Sequence, residues 1–354
     1  MDRAELSEQI RDADALLSSL SDPLDAQLLQ EAKNLKVIGQ CAAGFNNIDV
    51  AAAKKAGITV TTTPGVLHEA TADLAFTLLL QVTRRTSEAE RLVRAGKSWR
   101  YDHTFMLGMG LQGDTLGIVG LGQIGEAMAR RGAAFGMNIL YSAHSDKDTS
   151  RIGGNVRRVD NDELIASSDV VSLHCPLTEE TRHLIDADAL KAMKQSAYLV
   201  NTARGACVDE QALVRALKEG QIAGAGLDVY EDEPKISPEL LEMENVVLLP
   251  HIGSATRQTR DKMSALTARN ILAVLSGEKA ETPLSLDADA GGQQLAGVQV
   301  EFASAHESCQ CDPGLVCQVH GQRGGRRYRY HGRNACHHGL LYQLEGGPRR
   351  QPQD

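Results

Sequence analysis

The sequence has no apolar run that is long enough to cross a membrane. Its longest apolar stretch, at 74–82, is interrupted by Thr77 and Gln81, whereas a membrane-spanning helix needs about 20 apolar residues. The residues that follow Met1 also lack the apolar core of a secretory signal. Positive charge is not in excess, because 37 Lys and Arg face 46 Asp and Glu, which leaves a net charge of −9. We therefore expect no membrane partner and no nucleic-acid partner.

A regular set of paired cysteines is also absent. The seven Cys are odd in number, and the first three, Cys41, Cys175 and Cys207, are widely separated. This pattern is typical of a reducing compartment, so we predict a cytoplasmic protein. The length of 354 residues predicts two domains.

Residues 286–354 lack the features of a packed domain. They contain seven Arg and seven acidic residues but no Lys and no Ile, and their apolar residues follow no period of two or 3.6. We predict that this tail is disordered. Its Cys and His residues, from Cys309 to His338, suggest zinc as an alternative. Their spacing fits no regular zinc site, so we predict no metal.

Before the tail, apolar runs that indicate strands alternate with helical patterns. The strand-like runs lie at 35–42, 58–63, 115–122, 137–143, 169–175, 197–203, 223–230 and 245–251. Such alternation is typical of βαβ units and a parallel sheet. Two longer helical patterns lie at 68–96 and 256–277. We predict an α/β protein with a small unit at 1–75, a nucleotide domain at 76–264, and a return helix at 265–285 that packs on the small unit.

A glycine pattern, Gly120-x-Gly122-x-x-Gly125, lies between a predicted strand and an amphipathic helix that we expect to begin at Gly125. In a dinucleotide-binding turn the first glycine allows a tight turn, and the second lets the backbone approach a pyrophosphate. The third allows the helix to pack closely on the strand. We therefore predict a Rossmann-type domain that binds a dinucleotide, although three glycines also occur in ordinary turns.

The next strand of such a domain normally ends in an acidic residue that binds the ribose of NAD. Here the strand is followed by Ala143 and His144, and no acidic residue occurs before Asp146. The absence of this carboxylate favours NADP, whose extra phosphate His144 and Lys147 could bind. The Arg that usually binds this phosphate is missing from the segment. The predicted cofactor is therefore NAD(P), with a preference for NADP.

Three charged or titratable residues follow the last predicted strands: Arg204, Glu233 and His251. Because the carboxyl ends of parallel strands meet at one edge, we expect these side chains to converge on one crevice. Arg can bind a carboxylate and its neighbouring carbonyl, His can donate a proton, and a carboxylate can orient the imidazole. Glu231 is an alternative partner for His251. Each residue alone could instead be a solvated surface group or a satisfied turn residue.

Several longer motifs carry a family resemblance. HCPLTEETRHLI (174–185), LVNTARGACVDEQAL (199–213), GAGLDVYEDEP (224–234) and LLPHIGSAT (248–256) resemble the D-isomer-specific 2-hydroxyacid dehydrogenases. The segments at 41–49 and 61–80 extend the resemblance, which is greatest to bacterial glyoxylate/hydroxypyruvate reductases. The resemblance implies Arg204 as the substrate-binding residue, Glu233 as the partner of His251, and His251 as the acid and substrate contact.

The resemblance also implies further contacts. Backbone N–H groups near Ala43 and Gly44 would bind the substrate carboxylate. The implied cofactor contacts are Gly120, Leu121, Gly122, Gln123, Ile124, Gly125, Ala143, His144, Cys175, Pro176, Thr202, Ala203, Asp228 and Gly253. The small unit would be flavodoxin-like with strand order 2-1-3-4-5, and this chain would enter it at the second helix. Relatives of this kind are usually homodimers joined through the nucleotide domain.

The expected reaction is the NAD(P)H-dependent reduction of glyoxylate or hydroxypyruvate, with His251 as proton donor. Two alternatives remain open at this point. The chain could be another dehydrogenase of the same family, such as a phosphoglycerate dehydrogenase. It could also be a non-catalytic dinucleotide-binding scaffold, like the corepressors of the family, although a scaffold has no physical need for all three of Arg204, Glu233 and His251.

Overall fold

The computed structural model describes residues 3–284 and the backbone of residues 322–323 and 326–327. The tail predicted to be disordered, 286–354, lies outside the described residues except for two short strands, β11 Gln322–Arg323 and β12 Arg326–Arg327, which pair antiparallel. The Cys and His residues considered for zinc also lie outside the described part. Among the described residues, no helix combines the length and the apolar character needed to cross a membrane.

Two compact units make up the described chain: a small unit of residues 3–67 and 257–284, and a large unit of residues 68–256. The predicted domain boundaries, 75/76 and 264/265, fall inside two helices, His68–Thr83 and Arg257–Leu275. The division between the units falls instead at the first residue of each helix. The reason is that each helix packs along its length on the sheet of one unit.

The large unit contains a parallel sheet of seven strands in the order β10-β9-β8-β7-β4-β5-β6. Its strands are β4 Thr115–Val119, β5 Asn138–Ser142, β6 Val156–Arg158, β7 Val170–Leu173, β8 Tyr198–Asn201, β9 Gly224–Leu227 and β10 Val246–Leu248. This order, read from β6, is the Rossmann order 3-2-1-4-5-6 with one further strand, which confirms the predicted fold class. The strand order reverses direction between β4 and β7, the place where open α/β sheets bind ligands.

Helices flank this sheet and bury its apolar residues. The helices of the large unit are α4 His68–Thr83, α5 Thr86–Arg94, α6 Gln123–Ala134, α7 Asn161–Ser167, α8 Ala187–Ala192, α9 Glu210–Lys218 and α10 Pro238–Glu242, with a 3-10 turn at Gly205–Cys207. One buried apolar cluster joins the sheet to α8 and α9, and another joins it to α4 and α6. Strands that are buried in this way read as continuous apolar runs, which is why most of them could be predicted.

At two places the number of secondary-structure elements differs from the prediction. The helical pattern at 68–96 is two helices rather than one, because Arg85 adopts a left-handed conformation (φ 53°) between α4 and α5. Strand β6 was not predicted, because it is a short edge strand with two exposed residues, Arg157 and Arg158, and therefore has no apolar run.

The small unit contains a parallel sheet in the order β1-β2-β3, formed by β1 Ala15–Ser18, β2 Val37–Gln40 and β3 Thr59–Thr61. This is the order of the last three strands in the predicted flavodoxin-like arrangement. Its helices are α1 Arg3–Ile10, α2 Ala26–Glu31, α3 Val50–Lys55 and α11 Arg257–Leu275. The return helix was predicted to pack on this unit, and α11 lies against β2.

Candidate active site

The glycine turn after β4 has the three steric properties that a dinucleotide-binding turn requires. Gly120 has a positive φ of 92°, and a Cβ there would lie 2.8 Å from the backbone N of Cys175. A Cβ on Gly125 would lie 2.1 Å from the carbonyl oxygen of Gly120, so only glycine lets α6 approach β4 so closely. Beside Gly122, in contrast, no atom of residues 3–284 other than those of the glycine itself and its chain neighbours lies within 4 Å of the position of a Cβ. The open space is therefore at the glycine that should face a ligand.

Helix α6 begins at Gln123, whereas we had predicted that it would begin at Gly125. Gly122 occupies the N-cap position, so the N-cap residue has no side chain that could cap the helix. The first N–H groups of a helix carry partial positive charge and need acceptors. The uncapped N-terminus of α6, next to open space, therefore fits the pyrophosphate of a dinucleotide.

The other predicted cofactor residues lie in the loops that follow the strands of the large sheet, at their carboxyl ends. Leu121, Gln123 and Ile124 follow β4, Ala143 and His144 follow β5, Cys175 and Pro176 follow β7, Thr202 and Ala203 follow β8, Asp228 follows β9, and Gly253 follows β10. Within residues 3–284, Thr202 Oγ1 and His174 Nδ1 are buried without a hydrogen-bond partner. Unpartnered polar atoms at this edge fit a site that a polar cofactor completes.

An arginine that sequence reasoning missed lies at the end of β5. Arg158, from the unpredicted strand β6, donates to the carbonyl oxygen of Ala143 over 2.8 Å and to Asp146 Oδ1 over 2.5 Å. A guanidinium is therefore present where the sequence pattern indicated none, and it is paired with an exposed carboxylate. Only the pairing of β5 with β6 brings it there, so nothing in the sequence of the 142–147 segment could have indicated it.

Arg204, Glu233 and His251 follow β8, β9 and β10, which are neighbours in the sheet. His251 Nδ1 and Glu233 Oε2 are hydrogen-bonded over 2.7 Å, and their side chains are 32% and 34% exposed. The other oxygen of Glu233 accepts the backbone N–H of Tyr230 over 3.1 Å. The pairing leaves Nε2 of His251 as the ring nitrogen that is free of Glu233.

The charge of Arg204 interacts with the pair of Glu233 and His251. Partial burial raises the pKa of Glu233. The hydrogen bond and charge of His251, the N–H of Tyr230 and the charge of Arg204 lower it. These contributions outweigh burial, so the pKa of Glu233 lies below its ordinary value. Desolvation lowers the pKa of Arg204, and the charge of Glu233 opposes this shift. Arginine stays protonated at any pH a protein tolerates. The site therefore combines a fixed cation, an ionised carboxylate and an imidazole.

The alternative partner, Glu231, belongs to a different pair. Its Oε1 lies 2.6 Å from His183 Nε2 and 3.6 Å from Arg182, and its backbone N–H donates to Glu210 Oε2 over 3.1 Å. Glu233 is therefore the carboxylate that contacts His251.

The backbone around His251 is held by two residues of the β9 loop. His251 has a positive φ of 54°, which is uncommon for a residue other than glycine. Both oxygens of the buried Asp228 carboxylate accept backbone N–H groups, those of Ile252 and Gly253, over 2.8 Å each. The hydroxyl of Tyr230 donates to the carbonyl oxygen of Leu249 over 2.9 Å. These contacts fix the turn that carries His251, and the sequence did not indicate them.

Arg204 is held in a similar way by residues that sequence reasoning missed. The buried Asn201 donates to the carbonyl oxygen of Arg204 over 2.9 Å and accepts the N–H of Ala203 over 3.0 Å. A Cβ on Gly205 would lie 1.8 Å from the carbonyl group of Tyr230. The loop after Arg204 thus packs directly on the backbone of the loop that carries Glu233, which only a glycine permits.

A second imidazole, His174, lies at the end of β7. Desolvation lowers the pKa of His174 to about 3, and its Nε2 is hydrogen-bonded to the Ser172 hydroxyl over 2.9 Å. His174 is therefore neutral at physiological pH. Of the two, His251 is the one whose ring contacts a carboxylate.

The predicted substrate-binding residues Ala43 and Gly44 belong to the small unit, in the loop at 41–47 that follows β2. Within the described residues, their backbone N–H groups donate no hydrogen bond. Within the same range, no group of three or more His, Cys, Asp or Glu side chains is placed to hold a metal ion.

Comparisons with known proteins identify the family and the overall fold. Residues 76–253 match the family described as D-isomer specific 2-hydroxyacid dehydrogenase, NAD binding domain. A glyoxylate reductase from Thermococcus litoralis is 51% identical over 281 residues, which cover 78% of this chain and 85% of that protein. A solved structure from Thermus thermophilus has a TM-score of 0.76 and 44% identity, and the match covers 80% of this chain and 90% of that one.

A second solved structure carries a functional name. It is an NADPH-dependent glyoxylate/hydroxypyruvate reductase from Sinorhizobium meliloti, in complex with NADP and malonate. It has a TM-score of 0.72 and 36% identity, and the match covers 80% of this chain and 88% of that one.

Proposed function

Because this chain belongs to the D-isomer-specific 2-hydroxyacid dehydrogenase family and is an NAD(P)-dependent oxidoreductase, we propose that it reduces glyoxylate or hydroxypyruvate to the 2-hydroxy acid. The observation that carries this proposal is the 2.7 Å contact between His251 and Glu233. It lies at the same sheet edge as Arg204 and the glycine turn. Relatives that are named as glyoxylate reductases support the choice of substrate.

In this mechanism Arg204 binds the substrate. Its planar guanidinium can donate to the carboxylate and to the neighbouring carbonyl oxygen together, which orients the substrate and polarises the carbonyl. Reduced NAD(P), when bound, supplies the hydride. His251 then donates the proton from Nε2 to the carbonyl oxygen, and Glu233 stabilises the protonated imidazole through Nδ1. Because the pKa of Glu233 is low, the carboxylate remains charged throughout the neutral range.

The two units have different roles in this proposal. The large unit, which contains the glycine turn, would be the dinucleotide-binding domain. The small unit would be the substrate domain, since the N–H groups of Ala43 and Gly44 donate no hydrogen bond within residues 3–284 and suit a carboxylate.

We propose that the cofactor is NADP rather than NAD. No carboxylate follows β5 directly, and the Arg158 guanidinium lies against Ala143. His144 and Lys147 in the same segment add donors for a phosphate. The Asp146 carboxylate on Arg158 would have to give way to the phosphate, which is easy for an exposed ion pair. A comparison of NADH with NADPH, before and after Ala143→Asp, tests this preference.

We also propose a homodimer formed through the large unit. Helix α5 buries none of its residues, and Trp99, Tyr101 and Leu107 in the following segment are exposed. A second copy of the chain would cover this apolar surface. Light scattering during size-exclusion chromatography would reveal the expected dimer, and a monomer at micromolar concentration would contradict it.

The test of function is an assay of NADPH oxidation by purified protein with glyoxylate, hydroxypyruvate and pyruvate in turn. We expect activity with at least one of the first two, and its loss in Arg204→Ala and His251→Ala variants that still bind NADPH. If the unmodified protein oxidises NADPH with none of these acids, the proposed function is wrong.

A further inference from the structure

A buried amide network lies beneath the loop at 41–47. Gln40, the last residue of β2, and Ser18, the last residue of β1, are directly opposite in the sheet. Both are completely buried. A buried side-chain amide is costly unless all of its donors and acceptors find partners. The hydrogen bonds of the Gln40 amide offset this cost.

Every polar atom of the Gln40 amide is engaged. Its Oε1 accepts the Ser18 hydroxyl over 2.6 Å. Its Nε2 donates to the carbonyl oxygen of Gly44 over 3.1 Å and to Asn47 Oδ1 over 2.8 Å. The amide nitrogen of Asn47 in turn donates to the carbonyl oxygens of Ser19 and Asp22, over 2.9 Å each. The network thus joins the middle of the loop, at Gly44, and its last residue, Asn47, to the interior of the small unit.

The contact with Gly44 determines how the loop presents its N–H groups. A trans peptide unit is planar, and its C=O and N–H point in opposite directions. Because Gln40 holds the Gly44 carbonyl, the N–H of Phe45 points away from Gln40. Within the described residues this N–H donates no hydrogen bond, and neither do those of Ala43 and Gly44. Three successive N–H groups without an acceptor among the described residues are donors of the kind that an anion can satisfy.

We propose that Gln40 is a positioning residue that fixes the 41–47 loop so that the N–H groups of Ala43, Gly44 and Phe45 bind the substrate carboxylate. This inference rests on the proposed function, because it assumes that the loop binds a 2-oxo acid. Gln40 itself contacts neither substrate nor cofactor. Its loss should weaken substrate binding and leave the chemical step largely unchanged.

The test compares two variants in the same network. Gln40→Met keeps the length of the side chain but removes both Nε2 contacts, with Gly44 and Asn47, and the acceptor of the Ser18 hydroxyl. Ser18→Ala removes only the hydrogen bond to Gln40 Oε1 and leaves both Nε2 contacts in place. For Gln40→Met we expect KM for the 2-oxo acid to rise about tenfold, because the Gly44 carbonyl is no longer held and the loop loses its fixed orientation. We expect kcat and the Kd for NADPH to change by less than about threefold. For Ser18→Ala we expect a change in KM below about threefold.

A purely structural role predicts a different result. It would lower the melting temperature of both variants and leave their KM values alike, and equal KM values would therefore overturn the proposal. A fall in kcat at constant KM would also overturn it. If Gln40→Met does not fold, Gln40→Asn replaces it, because the shorter amide cannot reach Gly44 from the same backbone position, and the same KM rise is expected. Inactivity of the unmodified protein with every 2-oxo acid is a separate outcome, which would refute the proposed function and, with it, the role of Gln40.

Discussion

Replacement of Glu233 by Gln tests the link between this carboxylate and the imidazole of His251. The variant keeps the shape of the side chain but removes the charge that faces His251 Nδ1 at 2.7 Å. A hydrogen bond to a charged group contributes about 1.5–3 kcal/mol. Both side chains are about a third exposed, so solvent screening places the effect at the low end. About 1.4 kcal/mol in the activation barrier corresponds to a tenfold fall in kcat.

The chain offers a matched control for this prediction. Glu231, two residues away, forms a similar pair with His183 at 2.6 Å, and its side chain is 28% exposed. Glu231→Gln therefore removes the same kind of contact outside the proposed site. We expect kcat of this variant to stay within about twofold of the unmodified protein.

The assay is steady-state NADPH oxidation with saturating 2-oxo acid, for Glu233→Gln, His251→Ala and the double variant. His251→Ala should lower kcat by about 100-fold or more, as the loss of a general acid predicts. Since Glu233 acts through His251, its replacement should cost nothing further in the His251→Ala background. Additive effects of the two substitutions, or an equal loss in Glu231→Gln, would refute the reasoning.

Three further predictions concern the cofactor turn, the cofactor preference and the dependence on pH. Gly122→Ala should fold normally, because its Cβ enters open space, and should raise the Kd for NADPH, because this is the space proposed for the pyrophosphate. Gly125→Ala should lower the melting temperature, because its Cβ would lie 2.1 Å from a backbone oxygen. Normal stability of Gly125→Ala would contradict this. Arg158→Ala should raise KM for NADPH about tenfold, as the loss of one charged hydrogen bond predicts, and leave KM for NADH unchanged. An equal rise in both KM values would show that Arg158 does not bind the extra phosphate of NADPH. The pKa of Glu233 is lowered in the folded state, so the stabilising effect of its charge is full above the ordinary glutamate pKa of about 4.3 and disappears as the pH falls through the pKa of the folded state. The melting temperature of Glu233→Gln should thus lie below that of the unmodified protein at neutral pH, and the gap should close in acid; a gap that widens in acid would contradict the shift.

Features of this protein that depend on local pattern could be predicted from its sequence. Buried parallel strands such as β4 and β7 are continuous apolar runs, and the glycine turn joins a strand to a helix at a fixed spacing. The convergence of Arg204, Glu233 and His251 followed from the rule that parallel strands end at one edge. Their grouping required no knowledge of side-chain contacts.

Features that depend on contacts between distant segments could not be predicted. The exposed strand β6 has no apolar run, so the position of Arg158 became visible only when β6 paired with β5. Asp228 was predicted to contact the cofactor, and its hydrogen bonds to Ile252 and Gly253 depend on the packing of two loops. The role of Gln40 depends in the same way on the pairing of β1 with β2.

The most direct test of the central claim is the transfer of deuterium from NADPH labelled at the reactive carbon of the nicotinamide to glyoxylate or hydroxypyruvate. Mass spectrometry of the 2-hydroxy acid product measures this transfer. The account predicts one deuterium on C2 of the product, formed at least about 100-fold more slowly by His251→Ala and Arg204→Ala with little change in NADPH binding. A product without deuterium, or unchanged rates in both variants, would contradict it.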